Sequence, residues 1–208
     1  MKIMKESLKM RATVTMGKWK GVPLKWQVVQ VEEQKALLVC KKVVDLRPFE
    51  KPSSESLWEY EIWEKTDLRR WLNDTFFNKA FKTEEKFRIV QSEIVTKVYR
   101  EGMCIKTEKT MDHVFILSAG ELLRYVTGKG RSCRTLTSDE EYWEQSSSYS
   151  AFTGNVGYWL RSRGDDFMSS YWPVDYADQF GELYYNEGNP LELRGVRPAV
   201  WIETENHG

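Results

Sequence analysis

RGVRPAVWI, residues 194–202, is the stretch on which the fold turns. Val196, Val200 and Ile202 alternate with Arg197, Ala199 and Trp201, the period of a half-buried strand. An arginine and a proline in the middle of such a strand need a reason. An earlier run, YWLRSRG at 158–164, has the same oddity: Arg161 follows Trp159 at a spacing of two, which puts both on one face of a strand. The two arginines read as one arrangement. They are expected to fix loops by bonding backbone carbonyls or carboxylates, with Asp165, Asp166 and Asp175 as candidate partners. Pro198 removes a strand donor, which suits an edge or a bulge.

Working outward, 208 residues suffice for one domain with a sizeable core, and no second domain is demanded. Lysine plus arginine equals aspartate plus glutamate, 31 against 31, so no excess charge draws the chain to nucleic acid or anionic lipid. MKIMKESLKMR at the start lacks the apolar region and cleavage site of a secretory signal, and no stretch is apolar enough to span a bilayer. A cytoplasmic protein is the expectation, with export by a phage or specialised route left open. Cys40, Cys104 and Cys133 are odd in number and lack CxxC spacing, which argues against a disulfide framework or structural zinc and assigns them to packing.

ATVTMGKW and LKWQVVQVEEQKALLVCKKVV predict three early strands, with EEQK as a hairpin connection. TDLRRWLNDTFFNKAF predicts a helix capped by Thr66, its stripe made by Leu68, Trp71, Leu72 and Phe76. TEEKFRIV predicts a short helix capped by Thr83, and SEIVTKV a strand. In DHVFILSAGELLRYV an apolar strand runs to Ser118, which with Glu121 makes the capping box of another helix. Residues 127–155 read as extended and loop-rich, with TGKGRS a turn. Strands early and late with helices between them define an α+β class.

The ordered set MGKWKGVPLKWQVVQVEEQKALLV, TDLRRWLNDTFFNKAF, DHVFILSAGEL, YWLRSRG and RGVRPAVWI resembles a bacterial domain family of unknown function, over about residues 12–202. That family looks like a branch of the C-type-lectin-like superfamily, distantly similar to formylglycine-generating-enzyme-like domains. The resemblance implies residues 1–11 as a tail and 12–208 as one lectin-like domain: a twisted antiparallel sheet, a few short helices, a long loop region and paired terminal strands. The strand near 12–16 or 26–31 would then lie beside 196–202. Function follows only weakly, because this fold hosts sugar, protein and receptor binding as well as metal enzymes.

The enzymatic branches leave little trace here. A copper oxidase of the formylglycine-generating kind needs paired thiolates, and no cysteine follows Tyr158; the iron enzymes of the superfamily need a histidine cluster, and the chain has only His113 and His207. His113 beside an apolar strand reads as a packed histidine, and GRSC has no G-x-S-x-G context. Cofactors are expected to be absent. Calcium is the remaining candidate, since many lectins of this fold hold sugar through it. EGNP at 187–190 is only a partial echo of the lectin motif, and Asp175, Asp178, Glu182 and Glu187 read as a solvated acidic loop that could supply oxygens.

DDFMSSYWPVDYADQFGELYYNEGNP, residues 165–190, carries the binding signal: rigid aromatics give contact area, and Ser, Asn and Gly give adaptable hydrogen bonds. Asp165, Asp166, Tyr171, Trp172, Asp175, Tyr176, Asp178, Tyr184, Tyr185 and Asn186 are the candidate ligand-binding residues, and Arg161 and Arg197 the structural ones. The expected function is a non-enzymatic module binding a protein or glycan, with neither nucleic acid nor membrane as partner. Some related lectin-fold proteins diversify this interval by retroelement mutagenesis, which fits its composition. An enzyme with a site in the same region, and an assembly subunit whose aromatics are all core or interface, are the alternatives.

Overall fold

The computed structural model describes residues 8–51, 63–100, 103–137, 149–150, 154–165 and 174–204. In chain order the strands are β1 Thr13–Trp19, β2 Val22–Val31, β3 Lys35–Cys40, β4 Asp45–Arg47, β5 Ile89–Val90, β6 Ser92–Arg100, β7 Met103–Asp112 and β8 Phe115–Ile116. The series continues with β9 Tyr149–Ser150, β10 Asn155–Val156, β11 Tyr158–Asp165, β12 Val174–Ala177, β13 Leu183–Gly188, β14 Arg194–Val196 and β15 Pro198–Glu203. The helices are α1 Asp67–Trp71, α2 Phe77–Ala80, α3 Thr83–Lys86 and α4 Ala119–Tyr125. The architecture is mostly β, with a curled antiparallel sheet and a few short helices.

Local chemistry sets most of these elements. Thr66 caps α1 by accepting from the Arg69 N–H, and a π turn over Leu72–Phe76 joins α1 to α2 without interrupting the apolar stripe. Ser118 and Glu121 make the reciprocal capping box of α4, at 3.3 and 2.8 Å. At α3 the expected cap is displaced by one residue: Thr83 is the first helical residue, and Glu85 closes the turn by accepting from the Lys82 N–H. The Glu85 carboxylate also accepts from the Gly17 N–H, at 2.8 Å, and so ties the helices to β1. Gly17 has φ +72°, and a side chain there would lie 2.8 Å from the Ala80 carbonyl and the Phe81 ring, so only glycine lets β1 approach the helix end.

One sheet runs β1-β2-β3-β15, all antiparallel. The far edge of β15 is shared, with β8 against Pro198 and Ala199 and β5 against Trp201 and Ile202. The C-terminal strand therefore pairs with β3, not with either of the two strands expected from 12–16 and 26–31. Edges explain the correction. One edge of β2 is taken by β1 and the other by β3; β1 keeps a free edge but alternates exposed and buried residues, as suits a sheet margin, whereas β3, buried from Ala36 to Cys40, needs apolar neighbours on both sides.

The second sheet runs β13-β12-β11-β14-β4, and β6 with its hairpin partner β7 also joins β11. β7 lies in a stretch too polar to announce itself as a strand. The edge of β11 away from β12 is divided: Tyr158 pairs in parallel with Gly195 of β14, while Arg163–Asp165 pair in parallel with Val98–Arg100 of β6. Arg161 stands at the fork, its N–H donating to the Leu117 carbonyl. Gly195 is pressed so close to the Gly157 carbonyl and Val43 that an added Cβ would meet both within 3 Å.

RGVRPAVWI is thus not one strand but two. The chain leaves the second sheet after Val196, turns at Arg197, and enters the first sheet at Pro198. Proline is tolerated because it opens a strand, where no donor is missed. A continuous apolar cluster joins both sheets and the helices, and many tryptophans belong to it: Trp19 meets Trp71 and Phe76, Trp26 meets Phe81, and Phe49 meets Trp63 and Trp159. Packing begins before residue 12, since Leu8 is buried and the Arg11 N–H donates to Val28. Among the described residues no helix is long and apolar enough to cross a membrane.

Candidate functional site

Two open clefts share no lining residue among the described ones, and one of the two arginines lies behind each. Arg161 has 0% exposure. Its guanidinium donates from Nε to Thr96 Oγ1 at 2.9 Å, and from the terminal nitrogens to the carbonyls of Ile116 and Val95 and to both oxygens of Glu121, at 3.0 Å each. Its carboxylate partner in this set is Glu121, the capping residue of α4, a second task that the sequence pattern alone does not show. One rigid fork with five donors thereby holds β6, β8 and α4 together.

In front of this clamp is a cleft of about 580 Å³, walled by Val95 and Lys97 of β6, the α4 segment from Ser118 to Tyr125, Ser162, Asp175 and Tyr185. Tyr185 is 51% exposed and Leu123 49%, so apolar surface faces solvent at its rim. Lys97 and Arg124 bring positive charge, Asp175 and Glu121 negative. A half-exposed tyrosine, paired charges and small hydroxyls suit a polar ligand that offers an apolar face.

The pleat divides the expected binding surface. On β12 and β13, Asp175 and Tyr176, like Tyr184 and Tyr185, point to opposite faces. Asp175 and Tyr185 enter the cleft, whereas Tyr176 and Tyr184, cross-strand partners, stack on each other at 5.0 Å and 5° with Arg194 over Tyr176 at 3.6 Å. Asp178 is a turn residue: its carboxylate accepts from the N–H groups of Phe180 and Glu182. Asp165 and Asn186 occupy β11 and β13. Asp166, Tyr171 and Trp172 lie outside the described residues. In EGNP, Asn189 accepts from Leu191 N–H in a local turn. Among the described residues no three His, Cys, Asp or Glu side chains converge as a metal site would require.

Arg197 lies behind the other cleft. It donates from Nε to the Cys40 carbonyl at 2.9 Å, and from one terminal nitrogen to the Gly130 carbonyl at 3.0 Å and the Tyr158 hydroxyl at 3.1 Å. The Tyr158 hydroxyl in turn donates to the Arg131 carbonyl at 2.7 Å. The two arginines are therefore not one arrangement but two clamps that face different elements. His113 lines neither cleft; it stacks on Phe77 at 4.5 Å, and burial lowers its pKa.

Cys40 and Cys133 pack in the core near Arg197, and burial pushes the Cys40 thiol up to about 12 and raises that of Cys133 as well. Cys104, assigned to packing from the sequence, is instead exposed on β7. Since the thiolate is the reactive form, iodoacetamide at about pH 8 is expected to label Cys104 alone in the native protein and all three cysteines in denaturant. Mass spectrometry counts the adducts, and rapid native labelling of Cys40 would contradict the burial argument.

The fold and its clefts define an α+β domain with concave sites and two buried arginine clamps. Residues 33–204 match the family described as a domain of unknown function, DUF6273, and the chain belongs to it. No curated protein and no solved structure shows significant similarity to the chain.

Proposed function

We propose that this protein is a non-enzymatic binding module of the C-type-lectin-like kind, presenting the cleft in front of Arg161 and residues of the 165–190 interval to a protein or glycan ligand. The observation that carries the reading is the position of Tyr185: a half-exposed ring beside buried Asp175, with Lys97, Arg124 and Ser162 on the same cleft wall. Such a mixture favours a glycan, whose ring face stacks on an aromatic while its hydroxyls meet charged groups. The reading invokes no cofactor. The connection from β11 through β12 to β13, which in lectin-like folds presents the ligand site, supports it.

The test is a glycan and protein array, followed by titration of whatever is retained. Tyr185→Ala is expected to weaken that binding by about tenfold or more while leaving the melting temperature unchanged, because an exposed anchor contributes to recognition and little to folding. Asp175→Asn should also weaken binding. If the retained ligand binds both variants as tightly as the parent, the cleft is not its site and the reading fails.

A further inference from the structure

We infer that the cleft backed by Arg197 binds a small organic polyanion, a molecule carrying two or more phosphate, sulfate or sulfonate charges on a flat apolar body. Its volume is about 810 Å³, within the range of small-molecule sites. Lys25 of β2, Lys41 and Lys42 after β3, Lys129 and Arg134 line it, and among the described residues no aspartate or glutamate does. Val22, Pro23 and buried Leu136 give an apolar surface, and Ser132 and Asn155 the uncharged polar groups.

The concentration of one charge sign is the unusual feature. The whole chain is balanced, and elsewhere lysines sit beside carboxylates: Lys20 with Asp45, Lys35 with Glu32, Lys106 with Glu108 and Lys109 with Glu93. Among the described residues none of the five cleft cations has a carboxylate within 4 Å; Lys41 donates to the Thr13 hydroxyl. Like charges around a concave surface repel until a ligand neutralises them, and low-dielectric walls focus their field on an incoming anion. Five positive charges exceed what a single carboxylate would satisfy.

The walls are also fixed in advance. Val43 N–H donates to Arg134 and Leu136 N–H to Val43, while Arg134 bridges Asn155, which sews residues 134–136 to both sides of the cleft. Cys133 Sγ lies 3.4 Å from the Lys41 carbonyl. Arg197 then bonds Cys40, just before Lys41 and Lys42, and Gly130, just after Lys129, so one buried guanidinium sets the separation of two cationic walls. Such preorganisation is what makes a charged site bind without reordering its side of the interface. The limited volume of the cleft and the zero net charge of the chain favour a small molecule over the extended backbone of a nucleic acid.

Isothermal titration of the full chain tests this with four probes: adenosine diphosphate, naphthalene-1,5-disulfonate, pyrophosphate and adenosine. At least one of the first two is expected to bind about tenfold or more tightly than pyrophosphate and adenosine, with affinity that falls as salt is added. Which of the two wins separates a phosphate ligand from a sulfonate one. The charge reversals Lys41→Glu with Lys42→Glu, and Lys129→Glu alone on a separate wall, should each reduce that affinity about tenfold or more, whereas Lys79→Glu on α2 should not. Tyr185→Ala, in the other cleft, should leave it intact, so this inference stands or falls apart from the glycan reading. It is overturned if neither organic polyanion binds more tightly than about 1 mM, if the charge reversals change nothing while the melting curves show folded protein, or if a single-stranded oligonucleotide binds more tightly than every small probe.

Discussion

Arg161→Ala is expected to lower the unfolding free energy by about 3 to 5 kcal/mol, because several acceptors lose their donor at once at about 1 to 3 kcal/mol for each buried one. The side chain is fully buried, and its loss strips the Val95 and Ile116 carbonyls, the Thr96 hydroxyl and the Glu121 carboxylate of a donor at once. No neighbouring backbone takes over, because the edge of β11 is divided between β14 and β6 at this point. For a chain of this size the melting temperature should fall by on the order of 10 °C. Arg161→Lys should recover little, since a single ammonium cannot reach acceptors on β6, β8 and α4 from one position. Denaturant titration gives the number directly. A loss below about 1 kcal/mol, the size of one surface interaction, would mean that the three elements hold together without the clamp.

The parts of the fold that were legible in the sequence are those set by neighbours in the chain. Runs rich in valine and other apolar residues marked β2 and β3, Thr66 marked the start of α1, and Ser118 with Glu121 marked α4. What was not legible depends on distant edges. The partner of β15 is β3 because β2 has no edge left and half-exposed β1 suits the sheet margin, and the break at Arg197 arises because Val196 and Ala199 belong to different sheets. β7, with its lysines, threonines and glutamates, pairs with β6 along its whole length yet has little apolar alternation to give it away.

The candidate site shows the same division. Arg161 and Arg197 stood out as charges in apolar strands, but their acceptors lie between 39 and 157 residues away in sequence, and most are backbone carbonyls that carry no sequence signal. The alternation in VDYA and LYYNEG already separates Asp175 and Tyr185 from Tyr176 and Tyr184. The basic cleft had none. Its cations are spread from Lys25 to Arg134, and the balanced total charge conceals them.

Arg197→Ala should differ from Arg161→Ala in where the structure loosens. The Arg197 guanidinium faces carbonyls, the Tyr158 hydroxyl and two thiols that burial holds protonated, so its removal leaves unpaired acceptors rather than an unpaired carboxylate. With the buried Cys40 carbonyl orphaned and the exposed Gly130 carbonyl left to solvent, the cost should be about 1 to 3 kcal/mol. The Tyr158 hydroxyl keeps its bond to Arg131, which limits the damage on that side. Amide hydrogen exchange, followed well below the melting temperature, distinguishes the clamps because local opening reports the elements each one ties down. In Arg197→Ala, protection should fall most at Val43, Gly130, Arg131 and Leu136, whose N–H groups bond within the walls of the basic cleft. In Arg161→Ala it should fall most at Ala119, Leu122 and the β6–β7 ladder. Adenosine diphosphate, if it binds, should lose affinity about tenfold with the first variant and little with the second. Loss of protection at the same amides in both variants would show that the two arginines act as a single structural unit, and the assignment of one clamp to each cleft would be wrong.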